Sequence, residues 1–243
     1  MIFSVRQLQE KCREQQMRLY IAFIDLTKAF DLVSRRGLFQ PLKKMDCTPQ
    51  LLSITASFHD DMQGTVSYDG ASSQPGFQDP EWSETCCVLA PTLFGIFFSM
   101  LLNFAFHLSD EGVHLHTRSE GKLFNLVRLK GRTKVRTVLI KETLFADEAA
   151  LTSHTEEGLQ QLISKFTHAC NEFGLTISIK KTNVIGQDFP AVPSININGE
   201  VLEVTDRLIY LGSTITNNLS LDAEIDKRII AKASKLSKRV WKQ

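Results

Sequence analysis

The sequence has little of what marks a stapled or zinc-knitted domain. Its five cysteines, Cys12, Cys47, Cys86, Cys87 and Cys170, are odd in number and form no Cys-x-x-Cys pair. That argues against both a disulfide framework and a structural zinc site, and makes a reducing compartment the default. A secretory leader is not legible either, because Met1-Ile2-Phe3-Ser4-Val5-Arg6 meets charge before an apolar core can form. An intracellular location, nuclear or cytoplasmic, is expected. Repeats and low-complexity tracts are missing. Net charge is small, at +1, yet unevenly spread: Asp226 is the last acid, and Lys227, Arg228, Lys232, Lys235, Lys238, Arg239 and Lys242 follow it. Long uncharged runs are scarce too. The stretch from Val88 to Phe106 approaches the roughly 20 residues that a bilayer crossing needs. Its stripe of Thr92, Gly95, Ser99 and Asn103 reads instead as the small face of a buried helix, open to close approach, and no membrane partner is expected.

What is present is enough apolar content, 43% of 243 residues, to bury a core. Two apolar runs end abruptly in acids: Tyr20-Ile21-Ala22-Phe23-Ile24-Asp25 and Leu144-Phe145-Ala146-Asp147-Glu148. The first is short and rich in branched and aromatic residues, which predicts a strand buried on both faces. A single Asp after a strand is most often a turn or cap residue. Two such sites suggest strand ends that deliver carboxylates to a shared hard cation, since Mg²⁺ takes one or two protein carboxylates plus substrate phosphates.

The rest of the chain reads as a mixture of elements. Residues 5–17 predict a surface helix with Val5, Leu8 and Cys12 on one side. Ser34 opens a helix presenting Leu38, Leu42 and Met45, interrupted by Pro41, and Thr48-Pro49 opens another presenting Leu51, Ile54, Phe58 and Met62. Asp69-Gly70 predicts a hairpin turn. Residues 113–117, 123–129 and 135–145 alternate as strands. Arg128, Lys130, Arg132, Lys134 and Arg136 line one face, either solvated or touching nucleic acid. Ala149–Thr152 is the return strand of a hairpin. Thr155 caps a helix that Gly174 ends, and Leu175–Ile179 alternates as a strand. Another hairpin, with Asn198-Gly199 at its turn, begins at 195–199. Leu221 to Trp241 predicts a helix with Leu221, Ile225, Ile229, Ala233, Leu236 and Val240 on one face and the basic cluster on the others.

Phe23-Ile24-Asp25-Leu26-Thr27-Lys28-Ala29-Phe30-Asp31, Cys87-Val88-Leu89-Ala90-Pro91, Leu144-Phe145-Ala146-Asp147, Phe173-Gly174-Leu175-Thr176-Ile177 with Lys181-Thr182, and Tyr210-Leu211-Gly212 occur in an order that resembles the reverse transcriptases of non-LTR retrotransposons. The resemblance covers nearly the whole chain. It implies an α+β fold, a palm-like antiparallel sheet backed by helices with the start of a helical thumb. It divides the chain into a palm at 1–187, with the fingers largely missing, a primer-grip-like hairpin region at 188–216 and a basic start of the thumb at 217–243.

By the same resemblance Asp25, Asp147 and Glu148 are the catalytic, metal-holding acids for Mg²⁺ or Mn²⁺. Phe30 is the aromatic gate beneath the incoming sugar, with an ordinary core Phe as the plain alternative. Thr85 and Cys86 lie against the nucleotide. Lys181 is a proton donor to departing pyrophosphate, or else a solvated lysine. Tyr210, Leu211, Gly212, Lys227, Arg228, Lys232 and Lys235 would meet primer and template. The implied partners are an RNA template, a DNA primer and deoxynucleotides, with no specific protein partner. Departures accompany the matches: Glu148 stands where the family has a second Asp, and Trp82-Ser83-Glu84-Thr85-Cys86 where it commonly has Gly-Val-Lys-Gln-Gly. These imply an impaired polymerase or, alternatively, an inactive remnant that at most binds nucleic acid weakly.

Overall fold

A computed structural model describes residues 1–27, 29, 33, 38–39, 42–43, 46–57, 63–64, 67–68, 71–72, 77–78, 89–118, 135–222, 224–230 and 232. The chain divides into two interleaved units. One comprises Met1–Ile24, Asp110–Ile163 and Ile179–Gln243, the other Asp25–Ser109 with Ser164–Ser178. The secondary structure is α+β with mostly antiparallel pairing.

The first unit is built on β1 (Leu19–Ile24), all six residues of which are buried. Four strands share its sheet: β9 (Glu142–Phe145), β10 (Glu148–Ser153), β12 (Asn183–Gln187) and β15 (Glu203–Val204), in the order β15-β12-β1-β10-β9. β10 and β12 flank β1 antiparallel, and only β15 joins in parallel. Alternate β1 side chains, Leu19, Ile21 and Phe23, enter one cluster with Val5, Leu8 and Cys12 of α1 (Ile2–Glu14) and with Ala150, Ile185, Tyr210 and Ile215. Burying one such side chain stabilises by about 1.5–3 kcal/mol, so the run of β1 dominates this core. Gly186 lies opposite Tyr20, and any Cβ there would overlap the ring of Phe189, which folds back over the glycine and stacks on Tyr20 with centroids 6.0 Å apart.

The apolar side of α1 is the expected one, but the helix is part of the core. Arg6 Nη2 donates to the Thr214 carbonyl (2.9 Å), Gln9 Nε2 to Thr216 (3.0 Å) and Arg13 Nη1 to Asn218 (3.1 Å). One helical stripe thereby satisfies the Thr214 and Thr216 carbonyls along one edge of β17 (Ser213–Thr216) and that of Asn218 just beyond it. β17 pairs with β16 (Arg207–Tyr210), and β7 (Val113–Arg118) with β8 (Val135–Ile140). The hairpin at Asn198-Gly199 forms as expected, with φ of 52° and 87°.

In the second unit, β2 (Leu26–Thr27) pairs with β11 (Thr176–Ile177). The Leu89–Phe106 helix buries Leu93, Phe94, Phe97, Phe98, Leu101 and Phe106. Its rings meet those of residues 164–173 edge-on or stacked: Phe97 with Phe173 at 5.4 Å, Phe98 with Phe166 at 6.3 Å. Among the described residues no helix is long and apolar enough to cross a membrane. Thr92, Gly95, Ser99 and Asn103 of the small-residue stripe are exposed, and Gly95 has nothing within 4 Å among the described residues. The Glu156–Glu172 helix begins and ends as expected: Thr155 Oγ1 accepts from the Gly158 amide (3.0 Å), and Gly174 takes φ 75°.

Two further expectations change. The strand expected at Leu175–Ile179 is only Thr176–Ile177, because a 3-10 turn takes over at Ile179–Lys181. In the Pro49–Ser57 helix Leu51 and Ile54 are exposed while Thr55 is buried. Phe58, Met62, Met45, Pro41, Ser34, the turn residues Asp69-Gly70 and residues 123–129 lie outside the described residues. For the 69–70 turn, the flanking strands Ser67–Tyr68 and Ala71–Ser72 do pair.

Candidate functional site

β1 reaches the rim of its sheet at Ile24, which pairs with Ala149. The peptide bond after Ile24 leads to Asp25, and the one before Ala149 leads back to Glu148 and Asp147. Both acid-bearing strand ends therefore leave the ladder at its last register pair. Asp25 separates β1 from β2 by one residue, and its carbonyl accepts from the Ser178 amide at 2.9 Å, which fixes the backbone that carries the carboxylate. Asp147 occupies the turn that joins β9 to β10, and Glu148 opens β10 opposite Phe145. All three acids are half-buried.

That turn is tight: Phe145 and Glu148 close it, leaving Ala146 and Asp147 between them. Ala146 takes φ 53°, a left-handed value that costs an L-residue about 1–2 kcal/mol. Glu142, at the far end of the hairpin, is pushed above the ordinary carboxylate range by burial, with Lys141 pulling the other way. It belongs to the sheet and not to the turn. Carboxylate oxygens are the donor set that Mg²⁺ and Mn²⁺ favour. Among the described residues no three or more His, Cys, Asp or Glu side chains are gathered to hold a metal.

The second strained turn is Leu211-Gly212, with φ 48° and 76°, between β16 and β17. Tyr210 before it is buried, its ring 4.6 Å from that of Phe23 and its hydroxyl directed to Met1 Sδ at 3.5 Å. The turn thus presents Leu211 and Gly212 outward while Tyr210 anchors it to the core. Lys181 is exposed at the end of the 3-10 turn. Phe30, Thr85, Cys86, Lys235 and the basic residues of 128–134 lie outside the described residues.

The chain is helical again at 222, 224–230 and 232, with Lys227, Arg228 and Lys232 exposed. Leu221, Ile225 and Ile229 are 47%, 50% and 60% exposed whereas Glu224 is buried. The Glu224 carboxylate accepts the Thr214 amide (2.7 Å), the Ser213 hydroxyl (3.3 Å) and Arg228 Nε (2.6 Å). These contacts, the Thr214 amide bond foremost, hold its pKa down at about 2 against its own burial. Apolar periodicity carries no signal for this: it shows which side of a helix is oily, not which neighbour offers a hydrogen bond.

The family described as Reverse transcriptase (RNA-dependent DNA polymerase) matches residues 2–215. The chain is 25% identical over 224 residues to the RNA-directed DNA polymerase from mobile element jockey of Drosophila funebris, covering 90% of this chain and 22% of that protein. It is 22% identical over 175 residues to the retrovirus-related Pol polyprotein from type-1 retrotransposable element R2 of Bradysia coprophila, covering 72% of this chain and 17% of that protein. The chain thus spans about a fifth of the length of the curated relatives it matches. The solved structure of apo telomerase from Candida tropicalis aligns with 91% of this chain and 39% of its own at a TM-score of 0.47 and 11% identity.

Proposed function

Because the chain belongs to the reverse transcriptase (RNA-dependent DNA polymerase) family, with relatives of retrotransposon type, we propose that it is the palm-bearing part of an RNA-directed DNA polymerase. In this reading Asp25 and Asp147 hold a divalent cation, Mg²⁺ or Mn²⁺, against the triphosphate of an incoming deoxynucleotide. The primer is DNA and the template RNA. The observation that supports this best is the antiparallel register Ile24↔Ala149, from which both acid-bearing chain segments depart. Members of the family use divalent metal ions. Such an ion, when bound, neutralises charge on the transferring phosphoryl oxygens.

The chain's own residues do the remaining work. The Ser178 amide keeps the Asp25 backbone in place, and the tight turn presents Asp147. Phe30 packs beneath the sugar, Thr85 and Cys86 border the nucleotide, and Lys181 gives a proton to departing pyrophosphate. The Leu211-Gly212 turn, anchored by Tyr210, bears on the primer. Lys227, Arg228, Lys232 and Lys235 contribute salt-dependent phosphate contacts at the start of a thumb. Glu148, one methylene longer than the family's Asp, displaces its carboxylate on the order of 1 Å, a shift that costs about 10²-fold in rate.

A second reading, a catalytically silent remnant that binds nucleic acid weakly, is favoured by Glu148 and by the stretch Trp82-Ser83-Glu84-Thr85-Cys86, which depart from the family's motifs. Extension of a DNA primer on RNA, with Mn²⁺ or Mg²⁺, separates the two. Incorporation above that of a folded Asp25→Ala control supports the polymerase, and equal incorporation supports the remnant.

A further inference from the structure

The peptide of Thr214 is held from both sides. Its amide donates to Glu224 Oε2 at 2.7 Å, and its carbonyl accepts from Arg6 Nη2 at 2.9 Å. On the other oxygen of Glu224, Arg228 Nε sits at 2.6 Å and the Ser213 hydroxyl at 3.3 Å, and Arg228 Nη2 reaches that same hydroxyl at 3.4 Å. Glu224 is only 5% exposed, so its carboxylate exchanges water for these fixed donors. The Leu211-Gly212 turn directly precedes Ser213, and its other end is pinned by Tyr210 against Phe23. The turn is thereby fixed to the sheet on one side and to the basic helix on the other.

We propose that Glu224 is a positioning residue, whose carboxylate locks the Tyr210–Gly212 turn and the helix bearing Lys227 and Lys232 into one surface that receives a primer–template. This rests on the nucleic-acid reading above and adds to it a residue that lies outside the motifs quoted for the resemblance. The side chain touches no substrate. It acts by holding two contact elements in a single relative geometry, so that binding does not have to order them. Arg228 consequently serves first as a strut to Glu224, and Lys227 and Lys232 carry the phosphate contacts.

The test uses the full chain and two variants, Glu224→Ala and Glu224→Asp. The second keeps the charge but is one methylene too short to reach Thr214, so it separates position from charge and preserves solubility should the first fail to fold. Amide hydrogen exchange and the dissociation constant for a DNA primer on RNA are measured at fixed salt. Charge-assisted hydrogen bonds of this kind lead us to expect Thr214 to exchange about 10- to 100-fold faster in both variants. Ile21 and Ala22 in β1 should be unaffected, and the dissociation constant should rise about tenfold. Unchanged Thr214 exchange overturns the lock. Faster exchange with unchanged affinity overturns the positioning role. Failure of the unaltered chain to bind any primer–template would instead strike the nucleic-acid reading, and Thr214 exchange would still decide whether the lock exists.

Discussion

Ala146 and Leu211 sit at left-handed φ values of 53° and 48°, each as the first residue of a two-residue turn. Neither side chain can bond its own backbone, as the asparagine at position 198 can in the same conformation. Strain at a turn is informative when nothing local relieves it and function can account for it. Leu211→Asn is therefore expected to stabilise the chain by about 1 kcal/mol, read from the urea midpoint, while primer–template affinity falls if the leucine side chain bears on the strand. Ala146→Gly should stabilise by a similar amount, about 1 kcal/mol. Glu148→Asp moves a carboxylate back by one methylene and is expected to raise primer extension by about 10- to 100-fold. No increase would place the proposed impairment elsewhere, with the stretch Trp82–Cys86 as the next suspect. Cys12 and Cys170 stay out of the chemistry, because burial pushes both thiols up to about 12.

The elements show where sequence patterns carry information and where they stop. β1 was legible because an unbroken apolar run leaves no solvated face, and the Glu156–Glu172 helix because Thr155 and Gly174 mark its ends chemically. The role of α1 was not legible. Arg6, Gln9 and Arg13 look like surface polar residues until β17 supplies carbonyls at matching intervals. Gln9 is buried, and its carbonyl also accepts from Gln187 Nε2 at 3.2 Å. Gln9→Leu should thus cost about 1–3 kcal/mol in urea unfolding, because it strands the Thr216 carbonyl. In the C-terminal helix Glu224 is buried and hydrogen-bonded while Leu221, Ile225 and Ile229 are exposed, an arrangement that the apolar stripe alone does not announce. The Glu224 pKa is lowered, from 4.5 to about 2, so its tie to Thr214 is fully present above pH 4.5 and is lost as pH falls through about 2. Protection of the Thr214 amide, corrected for intrinsic exchange, should fall across that window while that of β1 holds.

At the scale of the whole molecule, the ordered motifs located the family and the acid-bearing strand ends, and the match over residues 2–215 agrees with them. The two units interleave: β1 belongs to one, while Asp25, the next residue, opens the other. The central claim is that Asp25 and Asp147 serve one cation. Mn²⁺ binding by the folded chain tests it most directly, followed by electron paramagnetic resonance with primed RNA and deoxynucleotide present. The account predicts one site that Asp25→Ala and Asp147→Ala each abolish, with no further loss in the double variant. A site that survives either substitution, or losses that add independently, would contradict it.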